Sequence, residues 1–119
     1  MTEGIYLGCD FKSSFRVCGL SQDNLDEIAK NELKGITHSQ GSHYKNDAEK
    51  ILVIPLNESI TAGFLESVIS ASENYTHYEF IISTANDNES FIIEVPEYIC
   101  KLFKKVGGGI NFSYTYTGE

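Results

Sequence analysis

The chain has 119 residues, of which 41% are apolar and 22% charged, and its net charge is −8. That length suffices for one domain with its own core, so a single domain over residues 1–119 is expected. The composition excludes a disordered chain, and no run of 18 apolar residues is present that could cross a membrane as a helix.

The opening "MTEGIYLGCDFK" has neither a basic n-region nor an apolar h-region, which points to a cytoplasmic location. In "IYLGCDF" and "SSFRVCGL", Ile5, Leu7, Cys9 and Phe11, then Phe15 and Val17, recur at the strand period of two. One long strand or a hairpin fits this pattern. "LSQDNLDEIAKNELKG" follows, with Leu25, Ile28, Ala29 and Leu33 on one helical face. Ser21 is placed to cap that helix, Asp23 lies in its first turn and Gly35 just past its end. Residues 36–50, "ITHSQGSHYKNDAEK", carry few apolar residues and no period, and are expected to form a long surface loop.

"ILVIPL" reads as a strand that Pro55 pushes towards a sheet edge or a strand end, because proline lacks a backbone N–H. In "NESITAGFLESVISASENY", Ile60, Phe64, Leu65, Val68 and Ile69 share one helical face, while Glu66, Ser70 and Glu73 share the other. "HYEFIIS" and "FIIEV" flank the turn formers of "TANDNES", so residues 77–83 and 91–95 are expected to pair as an antiparallel hairpin. Pro96 then suits the first position of a third helix, "EYICKLFKKV", whose Lys101, Lys104 and Lys105 lie towards its C-terminal, negative end.

Three glycines, Gly107 to Gly109, come after that helix and before the alternating "INFSYTYT". A phosphate cradle needs the reverse order, glycines leading into a helix N-terminus, so these are read as a helix exit that permits close backbone packing. The fold expected from these segments is α+β, a mainly antiparallel sheet of about five or six strands carrying three amphipathic helices. The expected core comprises Phe15, Val17, Leu25, Ile28, Val53, Phe64, Val68, Phe80, Ile82, Ile92, Leu102, Phe103 and Phe112.

No catalytic constellation emerges. Cys9, Cys18 and Cys100 are odd in number, lack a C-x-x-C pair and sit in apolar settings, so all three are expected reduced, buried and without catalytic role. His38 and His43, with Tyr44 and Asp47 nearby, and His77 lack the spacing and further ligands of a zinc site. Neither a metal nor a cofactor is expected, and the chain is read as no enzyme.

Charge is unevenly distributed. Residues 51–100 contain no Lys or Arg but eight acids, among them Glu58, Glu66, Glu73, Asp87 and Glu89. Such a field repels nucleic acid and anionic membrane and speeds encounter with a basic protein. Those five acids form the expected partner-binding patch, centred on the second helix and the 84–90 turn. The bland alternative is that the acids keep a small protein soluble.

Size, α+β patterning, the acid-only stretch from Glu58 to Glu97, the lack of catalytic motifs and the strand-rich ending "GINFSYTYTGE" together resemble the small acidic immunity proteins of bacterial toxin–immunity systems, including contact-dependent growth inhibition. The resemblance implies a cytoplasmic protein that binds a cognate toxin domain, commonly a nuclease with a basic substrate site, and blocks it. It assigns no residue a role. The competing expectation is a small enzyme or ligand-binding domain working through residues 36–50.

Overall fold

The computed structural model describes residues 10–43, 45–72, 77–86 and 95–116. Its elements run β1 (Asp10–Leu20), α1 (Gln22–Asn31), β2 (Ser39–His43), β3 (Asn46–Pro55), α2 (Ala62–Ala71), β4 (His77–Asn86), α3 (Glu97–Val106) and β5 (Gly109–Tyr116). The strands form one sheet in the order β2-β3-β1-β4-β5. Three neighbouring pairs are antiparallel and β4–β5 is parallel, the crossover between them passing through α3. The fold is therefore α+β with a mainly antiparallel sheet and three helices. No helix among the described residues is long and apolar enough to cross a membrane.

Strand alternation sorts the sheet into two faces. Ile54, Phe15 and Phe80 lie side by side on β3, β1 and β4, and Leu52 lies beside Val17 in the next row of that face. All are buried, and all join one cluster with Leu25 and Ile28 of α1, Leu65 and Val68 of α2, and Ile99 and Leu102 of α3. The helices thus cover one face. Phe80 anchors the cluster through edge-on contacts with Phe15, at 5.1 Å between ring centres, and Phe103, at 5.5 Å. A bulge at Gly19 shifts the β1–β3 register between Cys18 and Leu20, which lets both Val17 and Leu20 reach the core despite their odd spacing.

The helix ends follow local chemistry. Ser21 Oγ accepts the Asn24 N–H at 3.1 Å, and Thr61 Oγ1 accepts the Phe64 N–H at 3.1 Å. Pro96 stands one place earlier than expected, at the N-cap of α3. At the far end the Gly107 N–H reaches Phe103 O at 2.8 Å, with φ 79° and ψ −156°, positive as a helix exit needs but extended in ψ.

Five expectations are corrected. Residues 36–50 are no surface loop: residues 39–43 and 46–50 pair as the β2–β3 hairpin at the sheet edge. Hydrogen bonding to a neighbouring backbone holds this edge, so it needs no apolar face and leaves no periodic signal. Val53 points away from the helices and is only half-buried, because the alternation of "ILVIPL" turns Leu52, Ile54 and Leu56 inward instead. Phe112 has the core parity yet is 55% exposed, since β5 lies at the edge of the sheet. Cys100 is exposed, its neighbours Ile99 and Leu102 having taken the buried side of α3. Phe64 and Phe103 are half-buried and pack against the core rather than within it. The expected strand at 91–95 lies outside the described residues except for Val95, which is in neither helix nor strand, and Ile92 and Cys9 lie outside them as well.

Candidate functional site: an acidic helix surface

Of the five acids singled out from the sequence, Glu58 and Glu66 are described, whereas Glu73, Asp87 and Glu89 lie outside the described residues. Glu58 is exposed in the turn that joins β3 to α2. Asn57 shapes that turn, its Oδ1 accepting the Ser59 N–H at 2.8 Å while its carbonyl accepts the Ile60 N–H. Glu66 is exposed on α2 because Leu65 and Val68 on the opposite side are drawn into the core.

Folding adds an acid that sequence spacing could not connect to this patch. Glu32, the C-cap of α1, joins Glu66, Gly63, Ser67, Ser70 and Ala71 around an open cleft of about 540 Å³ between the two helices. Asn24 helps bring them together: 6% exposed, it donates from Nδ2 to Ala71 O, at the last residue of α2, at 2.9 Å. Asp23, Asp26 and Glu27 line the exposed side of α1, so the negative surface spans both helices. On the opposite flank of α2, exposed Lys101, Lys104 and Lys105 of α3 surround a small apolar cleft of about 420 Å³ at Ala62 and Leu102. The helix layer therefore changes sign across α2, from acidic at α1 to basic at α3.

The 36–50 hairpin offers less chemistry. His38 Nδ1 lies 2.9 Å from Ile36 O, and His43 Nδ1 accepts the Lys45 N–H at 3.0 Å, so both rings are engaged locally. Among the described residues, no group of three or more His, Cys, Asp and Glu side chains is placed to hold a metal ion. A third cleft, about 530 Å³, lies at the sheet end among Lys12, Ser13, Ser14, Ser83 and Tyr98, without a paired acid and base.

On the sheet face away from the helices, Arg16 of β1 pairs with Glu79 of β4. The hydrogen bond to Glu79 raises the Arg16 pKa, against the opposing effect of burial. Cys18 stands two residues along the same strand, and burial pushes its thiol up from the ordinary value while the Arg16 charge pulls it down. This grouping was not anticipated, although its signal was present: Arg16 is the sole arginine of the chain and sits inside an apolar strand. Against known protein families, curated proteins and solved structures, the chain shows no match.

Proposed function

We propose that this chain is an immunity protein, which binds a basic toxin domain, a nuclease by the charge it would need, and covers its active site. The observation that carries the reading is the exposed acidic surface of α1 and α2, set in a chain whose residues 51–100 hold no Lys or Arg. A nuclease site is shaped to attract phosphate, and carboxylates held on rigid helices compete for the same field. The role places the protein in the cytoplasm of the cell it protects. The competing reading, a small enzyme or ligand-binding domain working through residues 36–50, would have to act through a hairpin rather than a loop.

The test begins with the genes beside this one, where a toxin domain is the expected neighbour. Co-expression of this chain should restore growth to cells producing that domain, and failure to do so would reject the reading. If rescue holds, Glu32→Lys with Glu66→Lys should slow association by about tenfold at low salt and flatten its salt dependence, with dissociation less affected. An unchanged association rate across a salt series would move the binding surface elsewhere, to the hairpin or to Asp23, Asp26 and Glu27.

A further inference from the structure

The two edges of the sheet differ in how they are protected. β2 is short at five residues, contains Gly41, and loses register with β3 between Ser42 and His43. Shortness and irregularity are devices that discourage an edge from recruiting another strand. β5 has neither. It runs eight residues, "GINFSYTY", with no charged residue and no proline, and keeps unbroken register with β4 from Gly109 to Tyr116. Among the described residues no strand lies beyond it, and none of them gives its outward backbone N–H and C=O groups a ladder partner on that side.

Side chains strengthen the contrast. Ile110 and Phe112 stand beside Phe80 and Ile82 on the helix-covered face, yet are 40% and 55% exposed, the exposed large hydrophobics among the described residues. Elsewhere the helices and the hairpin present charge: Asp23, Asp26 and Glu27 on α1, Glu66 on α2, Lys45 and Asp47 on the hairpin. Two copies of a chain carrying −8 repel one another overall, so a contact that sets like patches face to face is least opposed on a surface without charge. β5 is such a surface, and an extended backbone is what completes it.

We propose that β5 pairs antiparallel with β5 of a second copy about a two-fold axis, joining two five-stranded sheets into one continuous ten-stranded sheet. The axis stands perpendicular to the sheet, so both helix layers lie on the same face and residues of like parity oppose one another. Phe112, near the middle of β5, then faces the partner's Phe112 as an aromatic cross-strand pair. The pairing closes on itself: it uses the same edge of both copies and leaves only the blunted β2 edges outside, so it stops at a dimer. A one-strand interface buries little area, so the dimer is expected to form in the micromolar range. This inference is independent of the toxin-binding reading.

Sedimentation velocity from about 1 µM to about 1 mM protein, at ~0.15 M salt, should show monomer passing to dimer with no larger species. Phe112→Lys, and separately Ser113→Pro, should weaken the dimer by about 100-fold while circular dichroism stays that of the parent. Hydrogen exchange on the unaltered protein needs no variant: amides within residues 109–116 should become slower to exchange as concentration rises, and those of β2 should not. A monomer throughout the range, a dimer indifferent to Phe112→Lys, or concentration-dependent protection at β2 instead of β5 would each overturn the proposal.

Discussion

Arg16 and Glu79 oppose one another across the antiparallel β1–β4 pair, and the guanidinium donates from both Nε, at 3.0 Å, and Nη2 to the same oxygen, Glu79 Oε2. The Glu79 side chain is 17% exposed and that of Arg16 37%, so the carboxylate is the more dependent partner. Its other oxygen lies 3.5 Å from Asn111 Nδ2 on β5, which ties three strands together on the face the helices leave free. Arg16→Met should therefore cost about 2 kcal/mol, because it strands a largely buried carboxylate, whereas Glu79→Gln should cost about 1 kcal/mol. A double-mutant cycle by urea unfolding should return a coupling of about 1 kcal/mol. Strict additivity would show that the pair is incidental.

Asn24 tests how α1 and α2 are joined. Its side-chain N–H satisfies the Ala71 carbonyl, one of the last in α2, whose last carbonyls lack helical partners. Asn24→Ala should lower stability by about 1–2 kcal/mol. Asn24→Asp should lower it further despite nearly equal volume, since it sets an acceptor against a carbonyl inside an acidic surface. Equal losses in thermal melts would mean that only packing is at stake.

The three glycines after α3 should respond in graded fashion. Gly109 has ordinary backbone angles and its nearest obstacle is Glu79 Cβ at 3.5 Å, so Gly109→Ala should change stability by less than about 0.5 kcal/mol. Gly107 has open space around it but a φ and ψ that only glycine adopts readily, so Gly107→Ala should cost about 2 kcal/mol. Gly108 combines φ 91° with a methyl position 2.6 Å from Tyr78 Cε2 and 3.0 Å from Tyr78 O, so Gly108→Ala should cost about 3 kcal/mol or more. Any other order by denaturant unfolding would contradict this account of the exit.

The cysteines should separate by reactivity. Exposed Cys100 should label within the time a free thiol needs, and Cys18, 6% exposed, should lag by at least about tenfold when modification is followed residue by residue in the native protein. Burial raises the Cys18 pKa above its ordinary 9.0, so the folded chain keeps a proton that the unfolded chain loses in alkali. Stability should thus fall as pH climbs through the thiol range, and Cys18→Ala should flatten that alkaline decline. Matching slopes for parent and variant would exclude the linkage.

Local sequence determined the three helices, because a helix satisfies its own backbone and its buried stripe is written at three- and four-residue spacing. It did not determine every helix end: α1 stops at Asn31 with Glu32 as its C-cap, short of the expected Gly35, and Pro96 caps α3 rather than opening it. Ser21, Leu25 and Ile28 announced α1, and Gly107 announced the end of α3 before any tertiary contact was known. The acid-only character of residues 51–100 was equally legible, since charge is a property of composition. Tertiary structure decided what depends on neighbours distant in the chain. Whether residues 36–50 formed a loop or a hairpin rested on a backbone partner, not on their side chains. Phe112 showed the inward parity of a core residue, but lateral position at the sheet edge left it exposed. The approach of Glu32 to Glu66, and of Arg16 to Glu79 across 63 positions of chain, arises only once strands and helices pack, because alternation fixes the face on which a side chain lies and not the neighbour it meets.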